Sequence, residues 1–101
     1  ENVVQRKYDL GTLDEVLDLL RGKPVYLTID LDVLDPSIFP GTGTPEPGGV
    51  SFADLISAVH SMKGLDIVGC DVNELAPHYD SSGVSTAVAC KVIRELILTI
   101  L

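Results

Sequence analysis

Two apolar runs set the architecture open to this chain. Val25 to Leu31 and Leu65 to Val72 are nearly unbroken apolar stretches. Runs of that length read as strands, and continuity rather than alternation points to a parallel sheet covered on both faces. Helical patterns alternate with them. One follows Thr12, where Glu15 completes a capping box, with Leu13, Val16, Leu17 and Leu20 as its stripe and Gly22 then Pro24 as its stop. A second follows Ser51, with Asp54 supporting the cap, Phe52, Leu55, Ile56 and Val59 on one face, and Gly64 at its end. A third runs from about Ser85 onward and is expected to bury Ala89, Val92, Ile93, Leu96, Ile97 and Ile100. The order helix, strand, helix, strand, helix predicts an α/β fold with a right-handed crossover. Val3 to Tyr8 reads as a further short strand.

Composition narrows the function. Of 101 residues, 46 % are hydrophobic, which argues against disorder. No apolar run reaches the ~18 residues that span a bilayer, and no signal peptide is recognisable. The net charge of −8 argues against nucleic acid and anionic membranes as partners, and suits metal ions and a cationic substrate. Cys70 and Cys90 fit no zinc or redox spacing and read as buried free thiols of a cytoplasmic protein. The start Glu1-Asn2-Val3-Val4 does not resemble a native one, and two strands would leave open apolar edges. The chain is therefore expected to be part of a larger domain.

The chemistry gathers where the strands end. Ligands of open α/β sheets bind outside the carboxyl ends of the strands. Asp30 and Asp32 lie there on the first strand, and alternation would point both to one face, about 7 Å apart at their Cα atoms. Asp71 and Glu74 lie there on the second, so the layout allows four acidic groups to converge on one cleft, with Asp71 read as structural rather than functional. Adjacent carboxylates at an apolar strand end call for a cation, and oxygen donors suit Mg²⁺, Mn²⁺ or Ca²⁺. The Pro- and Gly-rich loop from Val33 to Val50 is long enough to be functional. Asp35 reads as a turn residue before Pro36, His60 as an exposed helix residue and His78 as a solvent-facing loop residue. Tyr79 and Asp80 are loop anchors or cleft residues. Gly41-Thr42-Gly43-Thr44-Pro45 lacks the Lys of a P-loop and orients a polar substrate more readily than it cradles phosphate.

Thr28-Ile29-Asp30-Leu31-Asp32, Pro36, Pro40-Gly41 and Gly49 follow, at matching spacing, a long signature of the ureohydrolases, the arginases and agmatinases. Thr28 stands where Ser is usual and keeps the hydroxyl. Asp71-Val72-Asn73-Glu74-Leu75-Ala76-Pro77 resembles that family's last active-site motif. The resemblance covers most of the chain from Val25 onward and is closer to agmatinase than to arginase. It implies a three-layer α/β/α parallel-sheet fold, of which residues 1–101 are the C-terminal portion of a single domain. It also implies a binuclear Mn²⁺ hydrolase that converts a guanidino compound, agmatine first, to urea and an amine, here putrescine, in polyamine biosynthesis. By the same resemblance Asp30 bridges two Mn²⁺, Asp32 binds one, Glu74 pairs with the substrate guanidinium, and Thr44 lies near it. The intact protein is expected to be a homotrimer or homohexamer. The His- and Asp-rich motifs that complete the family's metal site are not in this chain, so the chain alone is expected to be inactive.

Two rivals come from other classes. A haloacid-dehalogenase-type phosphatase shares the Asp-x-Asp strand end but needs a Lys and an acidic pair that do not follow here. A truncated, non-catalytic subunit with an incomplete metal site is the second.

Overall fold

A computed structural model describes residues 3–5 and 10–101. Five principal elements follow in order: α1 (Leu13–Leu20), β1 (Pro24–Asp30), α2 (Phe52–Ser61), β2 (Asp66–Asn73) and α3 (Val84–Ile100). Single 3₁₀ turns, Leu31–Val33 and Pro77–Tyr79, follow the two strands. The strand expected over Val3 to Tyr8 falls partly outside the described residues, and Val3, Val4 and Gln5 have no regular structure.

The strands pair in parallel, from Pro24 opposite Asp66 to Asp30 opposite Asn73. This is the α/β layout that two apolar runs joined through a helix dictate. The register slips once, between Val25 and Tyr26, and absorbs Val68. Beyond the slip, the Tyr26 ring lies over Gly69, where an added Cβ would come within 2.8 Å of the ring.

Helices α2 and α3 pack on one face of the sheet. Leu55 and Val59 of α2 meet Ala89, Val92 and Leu96 of α3 over Ile29, with Leu27 and Val72 packed against them. Leu31, Leu34 and Phe39, from the segment after β1, complete this core and are almost fully buried. The chain leaving β1 is thus pinned into the core before it forms its long loop.

Several local expectations need correction. β1 stops at Asp30, because Leu31 turns into the core through the 3₁₀ turn. Among the described residues the sheet is covered on one face, and Tyr26 and Val68 are each 64 % exposed. On α3, Ala89, Val92 and Leu96 form the buried line, whereas Ile93 and Ile97, about 100° further round, are exposed. Both Cys70 and Cys90 are free thiols, as expected, but exposed rather than buried. Thr12 precedes α1 without a side-chain cap bond, so no capping box forms there. Ser51 does cap α2, accepting the Asp54 N–H at 3.1 Å. No helix among the described residues is long and apolar enough to cross a membrane.

Candidate functional site

The site is built at the carboxyl ends of β1 and β2. Asp30 closes β1 in an extended conformation, and its Oδ1 accepts the backbone N–H of Asp32 at 3.1 Å. The turn between them, not strand alternation, brings the two residues together. Asp32 is half-buried, and its Oδ2 accepts the Thr44 hydroxyl at 3.2 Å. Burial, followed by the neighbouring Asp30 carboxylate, pushes the Asp32 pKa up, and the Thr44 bond only partly offsets this. Two carboxylates held this close favour a cation between them.

The loop bearing Thr44 is fastened at its base. Asp35 N–H donates to the Val50 carbonyl at 3.1 Å, and Val50 N–H to the Val33 carbonyl at 2.9 Å. The Asp35 carboxylate accepts the Gly48 and Gly49 N–H groups at 2.9 and 3.2 Å, and both the N–H and hydroxyl of Ser37. Those donors, the Ser37 hydroxyl first, hold its pKa down to about 2. Asp35 is thus the turn residue its place before Pro36 implies, and it also ties the two ends of a long loop. Gly49 is required there: an added Cβ would lie 2.5 Å from Asp35 N and 2.6 Å from the Leu34 carbonyl carbon.

Past β2, Glu74 adopts φ 75°, the only positive φ on a non-glycine among the described residues. Such a backbone stores strain and is found preferentially at functional positions. Two residues on, Ala76 N–H donates to the Gly41 carbonyl at 2.7 Å, joining the loop after β2 to the loop after β1.

Asp71 does not join the acidic group. It accepts the Thr28 hydroxyl at 2.6 Å, the Tyr26 hydroxyl at 2.9 Å and the Asn73 amide. These bonds, Thr28 first, lower its pKa, and Asp71 in turn raises that of Tyr26. The four-way convergence that the layout allowed is not realised, and Asp71 has the structural role read for it: among the described residues, no three His, Cys, Asp or Glu side chains are placed to hold one metal ion. Asp30 and Asp32 remain as a pair of hard oxygen donors, a set that fits Mn²⁺ or Mg²⁺ as part of a larger shell.

The surrounding residues have structural partners. His60 is exposed and meets Glu95 of α3 at 2.9 Å. His78 is exposed beside Tyr79 on the 3₁₀ turn. Asp80 anchors the start of α3 by accepting Ser82 and Ser85 N–H and hydroxyl groups, which hold its carboxyl far below the usual range. A cavity of about 420 Å³ opens between α1 and α2 near Leu13, Asp14, Asp54 and Ser61. None of Asp30, Asp32, Thr44 and Glu74 lines it. The sequence reading missed Ser85, a fully buried polar residue; its only local signal was the run Asp80-Ser81-Ser82-Gly83 ahead of an apolar helix.

A parallel α/β unit with an acidic pair at its strand ends defines a class of scaffold that presents oxygen ligands at one sheet edge. The family within that class is specific. Residues 2–99 match the model of the arginase family, and the chain belongs to that family. It is 46 % identical over 91 residues to the agmatinase of Bacillus subtilis, covering 88 % of this chain and 31 % of that protein. Against the agmatinase of Bacillus anthracis it is 45 % identical over 95 residues, 91 % of this chain and 33 % of the relative. A crystal structure assigned as an agmatinase, from Clostridium difficile, superposes with a TM-score of 0.81 at 52 % identity, over 90 % of this chain and 34 % of that one. The chain thus spans about a third of the length of the relatives it matches.

Proposed function

We propose that the protein carrying this chain hydrolyses a guanidino compound to urea and an amine, with agmatine the first substrate to test. One observation carries the reading: Asp32, beside Asp30, is bonded to Thr44 of a fastened loop at the carboxyl end of β1. Kinship with agmatinases supports the choice of agmatine; its hydrolysis leaves putrescine as the amine, which would make polyamine biosynthesis the setting of the reaction.

Each residue has a role set by its chemistry. Asp30 and Asp32 would hold Mn²⁺, with the remaining ligands coming from the rest of the protein. When bound, the metal supplies Lewis acidity that lowers the pKa of water towards neutrality. The guanidinium carbon is a poor electrophile because its charge is delocalised, so attack depends on orientation. Glu74 offers a carboxylate that matches two guanidinium N–H groups side by side. Held in that fork, the planar cation presents its carbon face to the nucleophile, and positioning of this kind contributes much of an enzymatic rate. Thr44, tied to Asp32, keeps the guanidinium end of the substrate in register with the acidic pair.

Residues 1–101 would form the C-terminal portion of one ureohydrolase domain, in a cytoplasmic homotrimer or homohexamer. A second reading has its own observation. With no three-ligand metal group among its described residues, this chain by itself would be a non-catalytic unit with a partial metal site.

The test is urea release from the full-length protein in Mn²⁺, with agmatine and arginine side by side. Release from agmatine and not from arginine is the expected result. Release from neither, with other guanidino acids also inert, would overturn the hydrolase reading.

A further inference from the structure

We propose that Ser85 is a positioning residue whose hydroxyl clasps Gly41 and thereby fixes the spacing between the Asp32–Thr44 and Glu74 sides of the site. The effect on turnover rests on the hydrolase reading above; the clasp itself does not.

Ser85 lies in the first turn of α3 with 0 % of its surface exposed. Burying a hydroxyl is unfavourable unless its bonding capacity is used. Here it is used in both directions. The Ser85 hydroxyl donates to Asp80 Oδ2 at 2.6 Å and accepts the Gly41 N–H at 2.8 Å. On the far side of the same residue, the Gly41 carbonyl accepts the Ala76 N–H at 2.7 Å. One residue is therefore held from both ends, by α3 and by the loop after β2.

Position makes this clasp consequential. Gly41 precedes Thr44 by three residues, and Ala76 follows Glu74 by two. Besides the sheet pairing of Asp30 with Asn73, the Gly41–Ala76 bond ties the loop that bears Thr44 to the segment that follows Glu74. Ser85 fixes where that bond sits. The contact is tight: a Cβ on Gly41 would fall 2.7 Å from Ser85 Cβ, 2.8 Å from its Oγ and 3.1 Å from Asp80 Cβ.

A helix-capping role alone does not account for the geometry. Asp80 already caps α3 by accepting the Ser85 N–H at 2.8 Å. The acceptor side of the Ser85 hydroxyl points away from the helix, to a residue 44 positions earlier.

The experiment compares full-length parent, Ser85→Ala and Ser85→Thr proteins by amide exchange and by kinetics. Ser85→Ala keeps the Cβ and leaves the Gly41 N–H without its acceptor; Ser85→Thr keeps the hydroxyl. In Ser85→Ala, exchange over residues 38–44 and 74–80 should quicken about ten-fold or more, while α2 and the body of α3 match the parent. For the guanidino compound that the parent hydrolyses, kcat/KM should fall about ten-fold or more, and Ser85→Thr should stay near the parent in both readouts. Unchanged exchange over 74–80 in Ser85→Ala would overturn the clasp. Loosened loops with kcat/KM within about two-fold of the parent would overturn the positioning role. A parent that releases no urea from any guanidino compound sinks the hydrolase reading, and the exchange arm still decides the clasp. Should Ser85→Ala not fold, Gly41→Ala displaces the same contact from the other side and must quicken exchange over 74–80.

Discussion

Glu74 bears opposing demands at a single residue. Its φ of 75° costs a non-glycine residue about 1–3 kcal/mol, which a glycine would not incur. If the carboxylate orients a guanidinium, that strain is retained for function. Glu74→Gly in the full-length protein should therefore leave stability level or raise it by up to about 1 kcal/mol while removing turnover. Denaturant midpoints and urea release measure the two halves separately, and a Gly variant that keeps its activity would end the assigned role. Glu74→Gln keeps the backbone and removes only the charge. It should cut kcat/KM by about ten- to a hundred-fold, since hydrogen bonds to charged groups contribute about 1.5–3 kcal/mol. Mn²⁺ affinity should be untouched, because Asp30 and Asp32, not Glu74, are the residues proposed to bind the metal; calorimetric Mn²⁺ titration checks this.

The elements were legible in the sequence wherever a local pattern decides them. The two strands, three helices and the Ser51 cap came from apolar periodicity and a cap residue, which act over a few positions. What was not legible depends on partners remote in sequence. Asp32 reaches Asp30 through a turn that Leu31 drives into the core. Asp71 read as structural, but its partners Tyr26 and Thr28, more than forty residues away, could not be named from local pattern. Ile93 and Ile97 are exposed because α2 covers only the adjoining face of α3. Loop glycines show the same division. Gly43 has open space around a would-be Cβ, whereas at Gly49 that atom would meet backbone 2.5 Å away. Local pattern ranks the two alike, and only the family signature singles out Gly49. Gly43→Ala should shift stability by no more than about 0.5 kcal/mol, and Gly49→Ala should lower it by about 2 kcal/mol or more. Paired thermal melts of the two variants test how tightly the loop base is fastened.

At the scale of the whole molecule, acidic side chains hold segments together, and that sets the response to pH. Lys91 and His60 hold the Glu95 pKa down from 4.5 to about 2, linking α2 to α3. Asp35 is held at about 2 by the loop donors, and Asp80 is lowered further by Ser82 and Ser85. A carboxyl with a depressed folded-state pKa stabilises the fold above its unfolded value, and that contribution fades as pH falls through the folded one. Stability should therefore be level above about pH 5 and decline between about pH 4.5 and 2. Glu95→Gln should remove part of that slope by lowering stability above about pH 5, where the ionised Glu95 contributes, towards the value both proteins share at low pH. A denaturation midpoint that stays constant down to pH 2 would show that these contacts do not hold the molecule together. The same scale decides what the chain can do alone. Asp30 and Asp32 supply carboxylate oxygens, while a divalent ion of this type takes about six donors. The purified 101-residue chain should thus bind Mn²⁺ weakly and release no urea from agmatine. The full-length protein, with ligands from its remaining two-thirds, should bind Mn²⁺ tightly and release urea. Two tight Mn²⁺ sites on the chain alone would mean that it builds its metal shell from residues outside the Asp30–Asp32 pair.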